Sequence, residues 1–104
     1  MAQFDVYENP NEETQEAIPY LLDLQSDLLD DLATRVVAPL IKTVSIGKPI
    51  LHLNPRFEIE GVAVILSAAE LAGVPKGTLG RKIGSLKEYR DEIIAALDFL
   101  ISGF

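Results

Sequence analysis

Residues able to perform acid–base or metal chemistry are few and widely separated in this chain. His52 is the only histidine and cysteine is absent, so thiolate metal sites and disulfides are excluded. A nucleophilic triad needs a placed base, and His52 lies inside a predicted strand without a second histidine nearby. We therefore expect a hydrogen-bonded structural role for His52, and we predict neither a metal nor a cofactor.

Carboxylates and glycines supply no stronger catalytic signal. The pairs Glu12–Glu13 and Asp30–Asp31 belong to a chain of formal charge −7, on which such pairs are usually solvated surface. The glycines between Gly73 and Gly84 lack the spacing of a phosphate-binding loop. These observations predict a protein that is not an enzyme.

The negative charge also predicts the class of partner. Nucleic-acid backbones and anionic membranes bind clustered Lys and Arg, so direct binding to either is disfavoured and a basic protein segment fits better as a partner.

With 104 residues, 48% of them hydrophobic, we expect a single domain over residues 1–104. No signal peptide is apparent, and the longest apolar run, Gly61 to Ala69, is too short to span a membrane. We therefore expect a cytoplasmic protein.

The clearest element is a helix near the end of the sequence. Ser85-Leu86-Lys87-Glu88 reads as a capping box, and further acids follow in the first turns, where the helix dipole favours them. Apolar residues then recur at helical spacing. The pattern predicts a helix from about Leu86 to about Ile101.

Three features of this helix do not match a core role. Phe99 falls opposite the apolar stripe, and Asp98 lies near the helix end, where the dipole disfavours an anion. The sequence then ends on Ile101-Ser102-Gly103-Phe104. These features together predict a docking surface. In the alternative interpretation, Phe99 and Phe104 fold back onto a neighbouring surface and Asp98 caps or pairs locally.

Most of the remaining chain has the pattern of short strands separated by turns. Pro39 cannot donate to a ladder and predicts an edge or bulge, and Gly61 predicts a bend within one long strand. The residues from Gly73 to Gly77 are predicted to form a loop, and Thr78 to Ile83 a poor strand or irregular segment. The fold predicted is mainly β with a C-terminal helix, a small antiparallel barrel with the helix packed against its sheet. The predicted strands are Gln3–Glu8, Tyr20–Gln25, Thr34–Ile41, Ile50–Leu53 and Phe57–Ser67.

Leu28 and Leu29 stand between polar residues in the segment Ser26 to Asp31, which we interpret as a tight loop, with a weak helical turn as the alternative. Leucines at a loop tip are costly unless they pack or bind, each being worth about 1.5–3 kcal/mol when buried. Both outcomes stay open: the leucines tuck into the core beneath the loop, or they contact a partner.

Several segments together resemble the CcdB family of toxins, in order and over nearly the whole chain. They are Gln-Phe-Asp-Val-Tyr near the start, Asp23 to Asp30 (Asp-Leu-Gln-Ser-Asp-Leu-Leu-Asp), Arg35 to Leu40 (Arg-Val-Val-Ala-Pro-Leu) and the final residues from Ile93 to Phe104. The most specific pieces are the Gln-Ser-Asp-aliphatic-aliphatic-Asp motif and the last dozen residues.

The resemblance implies an SH3-like barrel of the CcdB/Kid type that forms a homodimer. It implies a toxin of a type II toxin–antitoxin system that binds the DNA gyrase A subunit, traps gyrase on cleaved DNA and is neutralised by a CcdA-like antitoxin. The family's contact residues match Leu28, Leu29, Asp98, Ser102, Gly103 and Phe104 here. With Phe99 added from the helix pattern, these seven are the predicted gyrase-binding residues.

The sequence departs from the family pattern at its end. The chain ends Ser-Gly-Phe where the best-known member has Trp-Gly-Ile, and Asp98 replaces an asparagine. Tryptophan is a frequent interface anchor, so its loss lowers the expected potency more than it affects the expected fold.

Two alternative functions remain: an endoribonuclease toxin of the same fold superfamily, or an inactive relic that only binds partners.

Overall fold

The computed structural model describes residues 2–45 and 54–103, and its strands form one antiparallel sheet. The sheet curls into a half-barrel with a helix after the last strand, which confirms the predicted fold class. The strands are β1 (Asp5–Glu8), β2 (Tyr20–Asp23), β3 (Thr34–Lys42), β4 (Arg56–Ile59), β5 (Val62–Leu66), β6 (Ala72–Pro75) and β7 (Lys82–Ser85), and the helix α1 is Arg90–Ser102.

β3 is the central strand, and it changes partner along its length. The strand order is β4-β5-β3-β2-β1-β7, and β6 pairs with the first half of β3 while β5 pairs with its last residues. Pro39 lies between these two pairings, opposite Leu21 of β2. Of the two positions predicted for Pro39, an edge or a bulge, the edge was therefore wrong: its missing amide is tolerated because one ladder is interrupted there.

The long strand predicted from Phe57 to Ser67 is instead a hairpin of β4 and β5. Glu60 and Gly61 form its two-residue turn with φ of +49° and +79°, as two-residue hairpin turns of the primed type require. The turn was not predicted because both hairpin strands point apolar residues into the same core. The apolar run after Gly61 therefore has the pattern of one continuous strand.

Two further boundaries differ from the sequence predictions, and one predicted strand cannot be compared. The residues predicted as a loop from Gly73 begin within β6, which pairs with β3. α1 begins at Arg90, after a 3₁₀ turn at Lys87–Tyr89, and the Ser85 hydroxyl accepts the Lys87 amide at 3.2 Å. The predicted strand Ile50–Leu53, with His52, lies outside the described residues.

The core fills the concave side of the sheet beneath the helix. Ile93 of α1 is fully buried there, as is Leu86 just before the helix, which is why the amphipathic pattern was readable from the sequence. No helix among residues 2–45 and 54–103 has the length and apolar character needed to cross a bilayer. The sheet contributes buried apolar residues that include Val6, Leu22, Leu40, Val64 and Leu66.

Candidate functional site

Leu28 and Leu29 project from a 3₁₀ turn at Asp27–Leu29 between β2 and β3. The side chain of Leu28 is 94% exposed and that of Leu29 is 49% exposed, so neither is buried in the core of the subunit. The helical alternative for this segment is thus the observed one. A solvent-exposed leucine on a tight turn adds little to the packing of this chain.

Hydrogen bonds hold this turn on both flanks. The Ser26 hydroxyl accepts the Leu28 amide at 3.2 Å, and the Gln3 amide donates to the Asp27 carboxylate at 2.7 Å. The buried side chain of Gln25 bridges the turn to β3: its amide nitrogen donates to the Leu29 carbonyl at 2.8 Å, and its amide oxygen accepts the Val36 amide at 3.1 Å. The turn therefore presents its leucines from a fixed backbone.

Beneath the turn lies a buried ion pair that the sequence analysis missed. The Arg35 guanidinium contacts the Asp23 carboxylate at 2.7 Å with both side chains fully buried, and it reaches Asp30 at 2.9 Å. Burial raises the pKa of Asp23, while the hydrogen bond and charge of Arg35 oppose that rise. The available signal was a charge inside each of two apolar runs, Asp23 in β2 and Arg35 in β3.

An apolar groove of about 320 Å³ connects the turn to the helix. Its lining includes Leu29 and Leu32 near the turn, Val36 of β3, Leu71 just before β6 and Leu97 of α1. Leu29, Leu32, Val36 and Leu71 are each between 38% and 49% exposed. The groove is therefore a partly solvent-exposed apolar surface that joins the leucine turn to the helix.

At the helix end, the structure separates the predicted residues into exposed and packed ones. Asp98, Ser102 and Gly103 are exposed, and the Ser102 hydroxyl donates to the Asp98 carbonyl at 2.7 Å. Gly103 ends the helix with φ of +80°, its amide donating to the Phe99 carbonyl at 2.9 Å. Phe104 lies outside the described residues.

Phe99 has a different environment from the one its helical position predicted. Its side chain is half-buried and packs against the cluster formed by Ala68 and Ala96. For Phe99 the alternative interpretation, packing on a neighbouring surface, is the observed one, because the 3₁₀ turn at Ala68–Glu70 contacts α1. Ile101, at 80% exposure, is the large apolar residue that α1 leaves in solvent.

No cluster of carboxylates or histidine able to hold a metal occurs among residues 2–45 and 54–103. The ionisable network that is present, Arg35 with Asp23 and Asp30, is internally paired rather than open to a ligand. The site as described comprises an exposed turn, an apolar groove and an exposed helix end.

Solved structures similar to this chain include two endoribonucleases from mycobacterial species. One, in complex with its cognate antitoxin, has a TM-score of 0.74 at 15% identity, covering 94% of this chain and 91% of that chain. The other has a TM-score of 0.66 at 15% identity, covering 94% and 88%. No curated protein matches the chain.

The names of these two structures correct one expectation. The sequence predicted a protein that is not an enzyme, and that prediction is contradicted, because these two solved structures with the same fold are named endoribonucleases. At 15% identity the likeness establishes the shared fold.

The family is established by a separate comparison. A family model described as CcdB protein matches residues 3–103, nearly the whole chain and all of the elements described above. The chain therefore belongs to the CcdB family, the toxins of toxin–antitoxin modules.

Proposed function

We propose that this toxin binds the DNA gyrase A subunit, traps the gyrase–DNA cleavage complex and is neutralised by a CcdA-like antitoxin. One observation carries the proposal: Leu29 of the exposed turn and Leu97 of α1 line the same groove. The groove thus lies between the two segments that carry the matching residues, while Leu28, Asp98, Ser102 and Gly103 do not line it and are exposed. We assign gyrase contact to the seven predicted residues, Leu28, Leu29, Asp98, Phe99, Ser102, Gly103 and Phe104.

The chemistry of this surface supports a protein partner. Leu28 offers a nearly fully exposed aliphatic side chain on a rigid turn, and rigid apolar anchors lose little entropy on binding. Asp98 adds a negative charge at the rim, which favours a basic patch on the partner. Half-buried Phe99 acts in this proposal mainly by supporting the last turn of the helix.

The toxin also acts as a homodimer in this proposal, with a second copy packed on the apolar groove. Leu32, Val36 and Leu71 expose apolar surface to water, which is unfavourable, and a second copy would bury that surface. Since Leu97 lines the groove, the dimer would bring two α1 helices together and double the surface available to gyrase.

The test compares two exposed apolar residues on 3₁₀ turns at opposite ends of β3. Leu28→Asp lies in the proposed surface, whereas Val44→Asp, at 89% exposure, lies beyond the other end of β3, a strand about 26 Å long at 3.3 Å per residue. On induction, wild type and Val44→Asp should arrest growth and Leu28→Asp should not. The arrest should disappear in cells whose gyrase A subunit resists such toxins.

Two changes at the helix end extend the test. Replacing Gly103 by tryptophan strains the left-handed cap, and residues added after Phe104 obstruct the same surface. Both variants should remain folded and lose growth inhibition. Inhibition that survives both changes, or that is unaffected by resistant gyrase, would contradict the proposal.

The second candidate function is endoribonuclease activity, and the observation in its favour is the fold shared with two endoribonucleases. RNA cleavage needs acid–base groups beside a cationic surface. Among the described residues, the cations nearest the turn are buried Arg35 and partly exposed Lys76, both paired with Asp30. Cleavage of RNA by the purified protein, lost in Arg35→Lys and Lys76→Met but retained in Leu28→Asp, would establish this function over gyrase binding.

A further inference from the structure

The turn that carries Leu28 and Leu29 ends on Asp30, and this residue is held by two cations from different elements. The Arg35 guanidinium of β3 contacts the Asp30 carboxylate at 2.9 Å from below. The Lys76 ammonium, in the 3₁₀ turn after β6, is 3.8 Å from the same carboxylate oxygen and also donates to the Asp30 backbone carbonyl. Asp30 is thus tied through both its side chain and its main chain.

These contacts are anchored to the sheet rather than to the turn itself. Arg35 is fully buried and paired with Asp23, so its guanidinium cannot move without exposing that pair. The backbone amide of Lys76 donates to the Ala33 carbonyl at 3.0 Å, which fixes the base of its side chain beside β3. Asp30 therefore connects the 3₁₀ turn to two rigid points.

We infer that Asp30 is a positioning residue: through Arg35 and Lys76 it holds the turn at Asp27–Leu29 in the conformation that presents Leu28 and Leu29 to the partner. The structural part of this inference depends on the contacts of Asp30 described above. The effect on function depends also on the proposed contact with gyrase. Asp30 touches no partner in this account. It acts by lowering the entropy lost when the turn docks.

The structure supplies a matched control in the next residue. Asp31 carries the same charge, is exposed, and forms no hydrogen bond or ion pair among the described residues. Asp30→Ala removes both carboxylate contacts and keeps only the backbone carbonyl bond to Lys76, while Arg35 stays neutralised by Asp23, so the fold should survive. Lys76→Met removes the second contact, and Lys76→Arg restores a cation at that point.

The first measurement is hydrogen exchange of the Leu29 and Asp30 amides, which donate within the turn to Ser26 and Asp27 at 3.0 and 3.3 Å. Exchange at these amides should accelerate about tenfold in Asp30→Ala and Lys76→Met, since the turn opens locally, and not in Asp31→Ala or Lys76→Arg. Amides of β2 and β3 should exchange at wild-type rates in all four variants. Unchanged exchange in Asp30→Ala would overturn the inference.

The second measurement is affinity for the purified gyrase A subunit. Asp30→Ala should weaken binding about tenfold, because the turn then has to lose its conformational entropy when it binds. In a Leu28→Ala background the same change should have little further effect, a coupling that a purely structural residue would not produce. If Leu28→Ala leaves affinity unchanged, the proposed surface fails and the exchange data alone decide the role of Asp30. If Leu28→Ala weakens binding and Asp30→Ala does not, the positioning role is refuted.

Discussion

Arg35 is the largest fully buried side chain among the described residues, and it organises the charges around it. Its partner Asp23 lies on β2 opposite Val37, so the two charged residues are diagonal neighbours across the β2–β3 ladder. The sequence shows both charges inside apolar runs. Their pairing could not be predicted without the strand register, which is why this part of the site was missed.

Replacing Arg35 by methionine should destabilise the protein by about 3–5 kcal/mol, because Asp23 is left buried without its counter-charge. Urea unfolding monitored by circular dichroism measures the loss. Arg81→Met is the control: Arg81 pairs with Glu8 at 2.9 Å on the exposed surface, and its removal should change the unfolding midpoint little. Equal midpoints for the two variants would contradict the assigned role of the buried pair.

Tyr7 gives the protein a stability loss at alkaline pH. Burial, and then the nearby Asp5 carboxylate, raise the pKa of Tyr7 from 10.0 to about 12. The unfolded chain therefore loses this proton first, so the free energy of unfolding falls as pH rises from about 10 to about 12. Burial also raises the pKa of Tyr20, which adds to the same loss.

In Tyr7→Phe, the alkaline loss of stability should be smaller than in wild type. Urea unfolding at about pH 9.5 and about pH 11.5 measures the difference for each protein. Tyr20→Phe serves as the comparison, since its hydroxyl lies outside the Asp5 network. An identical pH dependence in wild type and Tyr7→Phe would contradict the raised pKa.

Among the elements, those with local signals were predicted and those fixed by pairing were not. α1 was readable because its apolar positions repeat at helical spacing around Ile93. β6 was missed because Ala72–Pro75 has no strand-like pattern and becomes a strand only by pairing with β3. The turn at Glu60 was missed for a different reason, since only the glycine of the pair carries a turn signal.

The β4–β5 turn can be improved by one substitution. Glu60 has φ of +49°, a conformation that asparagine adopts more readily than glutamate. Glu60→Asn should therefore stabilise the protein by about 0.5–1 kcal/mol, and Gly61→Ala should destabilise it by about 1 kcal/mol. Thermal unfolding measures both changes. Glu58→Asn, in the extended strand β4, is the control and should give no gain.

At the scale of the molecule, the fold class followed from the sequence, but the groove did not. Many short strands followed by one helix limit the architectures available to a small chain. The groove depends on how residues from three separate elements, Leu29, Val36 and Leu97, come together. No local sequence pattern predicts that these three residues lie close together.

A charge placed in the groove should separate the proposed dimer. Val36→Asp and Leu71→Asp each put a carboxylate on the apolar face, where a second copy would have to desolvate it. Wild type and Val44→Asp should sediment as dimers, and the two groove variants as folded monomers. A wild-type protein that sediments as a monomer at every concentration would contradict the proposed assembly.

The pairing of β1 with β7 has a consequence for how the protein is made. Asp5 meets Ser85, so β1 must wait for a strand that is synthesised much later than itself. Until β7 has emerged, one side of the β1 backbone is unpaired, and Ile93 is not yet present to fill the interior. During that interval the nascent toxin lacks its finished fold, and chaperones or other chains can reach it.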